Sequence, residues 1–167
     1  MSGRGEKLMG KVTRQIDDIA EVFATLSEAD LAKPRPASEE SGKSGHVAKG
    51  RSVGDAAAHI AEGYHFIVRF LRRAGHVPGA PAGVRIHGRG PEPSLPELRK
   101  RLAEAKPEVG VIADLTDEQL DNVPPPKSSR FSDGRRSLEQ VIEEAIAHQA
   151  GHLNDLKRAV ASPERAH

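Results

Sequence analysis

Ser137-Leu-Glu-Gln-Val-Ile-Glu-Glu-Ala-Ile-Ala-His-Gln-Ala-Gly-His-Leu-Asn-Asp-Leu-Lys-Arg-Ala-Val160 sets the helical period of this chain. Its apolar positions, Leu138, Val141, Ala145, Leu156 and Ala159, recur at intervals built from three and four residues, the pattern of a helix with one face against other helices. The two seam positions between them, where leucine is expected, are His148 and His152. Residues four apart lie on the same face, one turn from each other. An imidazole in a low-dielectric core needs a partner for each ring nitrogen. One divalent ion satisfies two such rings at once.

Three more segments carry the same period. Helix 1 runs from about Glu6 to Thr25, with the seam Met9, Val12, Ile16, Ile19, Phe23 and Leu26. Helix 2 opens at Ser52, where Ser52-Val-Gly-Asp55 has the form of a capping box, and ends near Ala74. It carries two apolar rows: Val53, Ala57, Ile60, Tyr64, Ile67 and Leu71, and beside them Ala56, His59, Gly63, Phe66 and Phe70. An arc this wide predicts a helix flanked on two sides. Helix 3 starts at Ser94-Leu-Pro-Glu97, with the seam Leu95, Leu98, Leu102, Ala105, Val109 and Ile112. Pro107 lies inside that seam and predicts a kink or split near Lys106, because proline has no amide hydrogen and its ring opposes the carbonyl four residues back. Helix 4 is the segment quoted above, capped by Ser137 and Gln140.

The polar run from Pro34 to Gly50 and the Gly- and Pro-rich run from Gly75 to Pro93 read as loops, the second a long crossover. The expected fold is an all-α four-helix bundle with its long crossover between helices 2 and 3. It forms one domain over residues 1–167, with 35–50 and 75–93 as flexible loops. A short internal repeat supports two related hairpins. Ala-Thr-Leu-Ser-Glu-Ala-Asp-Leu-Ala-Lys-Pro34 and Ala-Asp-Leu-Thr-Asp-Glu-Gln-Leu-Asp-Asn-Val-Pro124 each lead through a loop to Arg51-Ser-Val or Arg136-Ser-Leu and then to a helix with histidine on its buried face.

Composition narrows the class of function. A formal net charge of +1 offers no concentrated basic face for nucleic acid. No apolar run approaches the length of a membrane span, and the start of the chain lacks a secretory leader, so a cytoplasmic protein is expected. The absence of cysteine removes disulfides, thiolate metal ligands and a cysteine nucleophile; any thiol in the chemistry comes from outside.

Of the eight histidines, His46, His76 and His87 fall in loops and His167 is terminal, and all four read as solvent-exposed. His65 points away from His59 and reads as a surface or interface residue. His59, His148 and His152 remain. Three nitrogens from two helices can surround one ion and leave a position open, the arrangement of a reactive zinc site as opposed to a closed structural one. Imidazole suits nickel, copper, cobalt and iron as well. The bland alternative is three satisfied core histidines.

The residues Arg51-Ser-Val-Gly-Asp-Ala-Ala-Ala-His59-Ile-Ala-Glu62 and Ala147-His148-Gln-Ala-Gly-His152-Leu-Asn-Asp-Leu156 resemble the DinB/YfiT-like metalloenzyme family, which includes bacillithiol S-transferases and mycothiol-dependent maleylpyruvate isomerase. The family opens helix 2 with Trp-Ser-Val and a histidine six residues after the Val, and carries His-x-x-x-His on helix 4. This chain matches at His59, His148 and His152 and departs at Arg51, where the family usually has Trp. The resemblance implies a divalent metal, with zinc or nickel the expected ion, at those three histidines. It also implies a low-molecular-weight thiol as cosubstrate in transfer or isomerisation on a small-molecule electrophile, and, together with the wide apolar arc of helix 2, a homodimer. A non-catalytic, stress-related bundle that binds a metal or small molecule, and a metal-assisted hydrolase, are the alternatives. Neither nucleic acid nor membrane is expected as a partner.

Carboxylates near the histidines complete the reading. Glu62, one turn after His59, is the candidate catalytic residue, either as a base toward a bound water or thiol or as hydrogen-bond acceptor for a ligand's second nitrogen. Asp55 is explained by capping, and Asp155 and Glu144 read as surface charge in preference to hydrogen-bond partners of the ligand histidines. Gln149 adjoins the seam and can reach into a pocket. Arg69 and Arg73 either meet an anionic substrate or complement the helix dipole.

Overall fold

A computed structural model describes residues 3–34, 52–80 and 93–161. Its α-helices are α1 (Gly3–Thr25), α2 (Glu28–Leu31), α3 (Val53–Arg73), α4 (Leu95–Glu108), α5 (Asp117–Asp121) and α6 (Leu138–Ala161); a 3₁₀ segment, Val109–Asp114, follows α4 directly. The four long ones, α1, α3, α4 and α6, correspond to the four helices expected from the sequence. Each of α1 and α3 packs against both α4 and α6. Their buried side chains form one hydrophobic core. The fold is all-α, as the periodicity predicts; among the described residues the only extended pairing is an isolated bridge between Pro34 and Ser52. The expected polar loop at 35–50, most of the crossover (81–92), Arg51, His46, His87 and His167 lie outside the described residues.

The seams are where the spacing puts them. All six seam residues of α4 and the 3₁₀ segment are buried, as is the first row of α3 from Val53 to Leu71. On α1 every seam residue after Met9 is buried, and Met9 is packed against the core. Pro107 acts slightly later than expected. The α-helix passes through it, ends at Glu108 and tightens into the 3₁₀ segment, so the change of winding follows Pro107 instead of falling near Lys106. At the other end of this layer, Gly5 of α1 lies against backbone. A Cβ there would sit 2.9 Å from the Ile112 carbonyl oxygen and 3.0 Å from that of Ala113. The absence of a side chain lets α1 begin directly on the 3₁₀ segment.

The internal repeat is present in the backbone. Ser27 caps α2 and Thr116 caps α5, each with a reciprocal capping box. In the first half the Val53 N–H donates to the Lys33 carbonyl at 2.8 Å; in the second the Leu138 N–H donates to the Asn122 carbonyl at 2.7 Å. Lys33 and Asn122 each stand two residues after the leucine of the short helix, and Val53 and Leu138 each follow a serine cap. The same hydrogen bond therefore seats α3 and α6 in their respective hairpins. The Ser52 Oγ accepts from the Asp55 N–H at 3.2 Å, and the Ser137 Oγ from the Gln140 N–H at 3.2 Å.

The cap that orients α3 gives a direct test. Ser52→Ala removes the acceptor for the Asp55 N–H and is expected to cost about 1 kcal/mol, lowering the melting temperature by about 2–4 °C for a chain of this size. Ser52→Gly should cost only a few tenths of that unit. Circular dichroism melts that do not separate the two variants would remove Ser52 from this role.

Candidate metal centre

His59 projects from α3, and His148 and His152 project from α6. The helices run antiparallel, with His59 beside His152 and Gly63 beside Gln149. The three imidazoles converge: one nitrogen of each lies within 4.8 Å of the others. The Nε2 atoms of His148 and His152 are 2.8 Å apart. His59 stands edge-on to both rings, at centroid distances of 4.8 Å from His152 and 6.5 Å from His148. His152 is buried, while His59 and His148 are half-buried. The seam reading thus holds for His152, and His148 lies at its edge.

The donor set fits a divalent ion. All three candidates offer an imidazole nitrogen from a packed helix, and no other His, Asp or Glu belongs to the group among the described residues. A tetrahedral ion with nitrogen ligands at about 2.1 Å holds two of them roughly 3.4 Å apart, which the two Nε2 atoms, at 2.8 Å, reach by a small outward shift. Three such ligands suit zinc, nickel and related ions and leave coordination positions open.

A polar network fixes the separation of these helices. The Gln149 amide donates to the Ile60 carbonyl at 2.8 Å, crossing the α3 backbone where it carries Gly63. A Cβ on Gly63 would lie 2.6 Å from Gln149 Cδ and 2.8 Å from its Oε1. The Tyr64 hydroxyl donates to Gln15 Oε1 at 2.7 Å. Gln15 Nε2 in turn donates to the Ile146 carbonyl at 2.9 Å. Burial pushes the Tyr64 pKa well above its ordinary value, with a smaller opposing effect from Gln149. This buried chain of hydrogen bonds ties α1, α3 and α6 together beside the histidines. Gln15 was not singled out from the sequence, although it interrupts the apolar arc Leu8, Val12, Ile19 as the histidines interrupt theirs.

The site opens on a cavity of about 540 Å³, lined by His59, His148 and Gln149 at one end and by apolar side chains of α3 and α6 beyond them. The second apolar row of α3 finds its use here: His59, Gly63, Phe66 and Phe70 form the wall. The row meets α6 at His59 and Gly63 and borders the cavity further along, where Phe66 is 43% exposed. Ser128, Ser129, Arg130 and Phe131 close the far wall. Phe131 packs edge-on to His148, with centroids 5.4 Å apart. These loop residues carry no periodicity and were not legible beforehand.

Glu62 is 3% exposed and accepts from the Arg101 guanidinium of α4. It is not among the residues lining the cavity. Asp55 caps α3 as expected, and Glu144 is exposed. Asp155 departs from expectation. It is 6% exposed and not a surface charge; one oxygen is bound by Arg158 and the other has no hydrogen-bond partner. His65 lies at the α3–α4 interface, with Nδ1 2.8 Å from Glu108 Oε2. His76 is also less exposed than its loop position suggests, and burial lowers its pKa.

An all-α chain with three histidines converging from two antiparallel helices onto an open cavity defines a class of helical metal-site proteins. The chain belongs to the DinB superfamily, whose family model matches residues 11–156 and so includes all three histidines. Members of this superfamily bind metals. Neither the curated proteins nor the solved structures contain a significant match to the chain.

The contact of Gly63 with Gln149 predicts a non-additive pair. Gly63→Ala should displace the Gln149 side chain and cost roughly 1–3 kcal/mol through overpacking and the lost hydrogen bond. In a Gln149→Ala background the same change should cost much less, since the obstructing atoms are gone. Chemical denaturation of the four proteins measures this, and additive effects would show that the two residues do not share the contact.

Proposed function

We propose that this protein is a DinB-like metal-dependent enzyme in which His59, His148 and His152 hold one divalent ion, zinc or nickel, and a low-molecular-weight thiol is transferred to a small electrophile or used to isomerise it. The observation that carries the reading is the cavity beside His59 and His148: a purely structural site has no use for an open face. When bound, the ion lowers the pKa of a thiol or water that it holds, supplying the anion near neutral pH. The thiol sulfur then bonds to an electrophilic carbon, and the leaving group departs with the bonding electron pair. The proton lost by the thiol passes to solvent or to the leaving group. In an isomerisation the sulfur adds to a carbon–carbon double bond, the adduct rotates, and the same carbon–sulfur bond breaks to return the thiol.

The chain's own residues orient this chemistry. Gln149 at the cavity wall ties α6 to α3 through the Ile60 carbonyl, which keeps the two histidine-bearing helices together. Phe131, edge-on to His148, covers the reacting end, and Phe66 and Phe70 supply an apolar wall beyond it. Glu62 stands outside the cavity wall, so of its two expected roles the acceptor role fits better: it positions His59, one turn before it, and Arg101 in turn holds its carboxylate. A thiol-free hydrolysis would use the same ligands with water in the open position. A homodimer in the cytoplasm is the accompanying proposal for its setting.

Metal analysis tests the centre. Each of His59→Ala, His148→Ala and His152→Ala should abolish stoichiometric metal, and double replacements should add little, because one lost ligand already removes most of the affinity. Metal affinity should also fall with falling pH, since protons compete for the same nitrogens. Full metal content in His148→Ala would overturn the reading. For Glu62, Glu62→Gln should keep the metal but bind it about 10–100-fold more weakly; unchanged affinity would remove Glu62 from the site.

A further inference from the structure

A second cavity of about 530 Å³ continues from the first and shares Phe70, Arg73 and Ser128 with it. Together they form one trough running along α3 from His59 to Arg73, which fourteen residue-to-residue steps of helix make about 21 Å long. Its chemistry changes along its length. The histidines and Gln149 occupy one end. The middle is apolar, formed by Phe66, Ile67 and Phe70 of α3 facing Val141, Ile142 and Ala145 of α6. The far end carries Arg73, Lys127 and Ser128.

Charge is distributed unevenly. No aspartate or glutamate lines either cavity among the described residues, although the chain has 24 of them; Arg73, Arg130 and Lys127 do. Arg73 and Lys127 have no ion pair among the described residues, in contrast to Arg4, Arg101 and Arg158. Lys127 also stands in the left-handed region, at φ 66°, the only non-glycine residue there among those described. A lysine in that conformation costs about 1 kcal/mol or more. It is held by its own N–H, which donates to the Ser132 carbonyl at 3.0 Å. This kink follows Pro124–Pro126, and Lys127 lines the same cavity as Arg73. Phe66, exposed at mid-trough, is one of only two exposed large apolar side chains among the described residues.

We propose that the trough binds an elongated amphipathic carboxylate, with its apolar body over Phe66 and Phe70 and its carboxylate at Arg73 and Lys127. It rests on the proposed function only for placing the reacting end of such a molecule at the histidines; the binding itself uses neither the ion nor a thiol.

Dodecanoate, used below its micelle concentration, is the probe, and dodecyltrimethylammonium is its cationic counterpart with the same chain. Calorimetric titration of the full chain should give one dodecanoate site and at least tenfold weaker binding of the cation. Arg73→Ala with Lys127→Ala should weaken dodecanoate about tenfold, the size of one lost charge-assisted contact, and erase the preference for the anion. Phe66→Ser should weaken both ligands alike. The titration is run on chelator-treated and zinc-loaded protein. Anion preference in both forms supports the trough even where metal analysis has refuted the metal centre. Binding only in the zinc-loaded form would mean that the ion, and not Arg73 and Lys127, takes the carboxylate, and would overturn the proposal. So would equal affinity for the two probes, no saturable binding, or an unchanged affinity in the Arg73 and Lys127 variant.

Discussion

The approach of α6 to α3 at Gly63 governs what the rest of the molecule can do. Gln149 lies across the α3 backbone to reach the Ile60 carbonyl, and only a residue without a side chain leaves it room. At the spacing this sets, His59, one turn before Gly63, and His148 and His152, on either side of Gln149, bring their nitrogens within 4.8 Å of one another. A larger residue at 63 would push the helices apart or turn Gln149 aside, and either change would separate His59 from the pair on α6. The site is thus assembled by a contact that contains no histidine.

Burying so many polar groups in a helical core has a cost that is offset only by pairing. Tyr64, Gln15 and Gln149 are buried and hydrogen-bonded, which keeps the desolvation penalty of each small. The histidines differ. Two neutral rings whose Nε2 atoms face each other can satisfy one contact by donation from one to the other, but a third ring adds a further nitrogen to the same space. A divalent cation that accepts a lone pair from each of the three rings would satisfy them together. The neighbouring cavity then has a chemical meaning, since an ion with three protein ligands has a position to offer on that side.

Much of this was legible because helical burial writes itself into spacing. The seams of α1, α3, α4 and α6, the caps at Ser52, Ser94 and Ser137, and the histidines as interruptions of a seam all follow from a period of 3.6 residues. What was not legible follows from the same rule. Ser128 to Phe131 come from an irregular loop between the prolines and α6, where no period exists to place a side chain. Asp155 was read as a surface charge because aspartate ordinarily is one; its burial depends on Arg158, one turn later, and on how tightly α6 packs near its end. The winding change after Pro107 was expected two residues earlier. A proline withdraws a hydrogen bond at its own amide, but the helix has enough packing through Leu102 and Ala105 to carry through it before tightening.

The internal repeat explains why chemistry sits on one side of a nearly symmetric scaffold. Counted from the serine caps, Tyr64 of α3 corresponds to Gln149 of α6, and these two polar residues lie within hydrogen-bonding reach of each other. Equivalent residues that touch must lie near the axis relating the two halves. By the same count His148 corresponds to Gly63, and His59 to Glu144. Gly63 leaves room for the Gln149 side chain, and its counterpart His148 faces His59 and His152. The hydrogen bonds that seat α3 and α6 are common to both halves, and the residues that would hold an ion are not. The scaffold is therefore specified twice by the sequence, and the site once, by the positions at which the two copies differ.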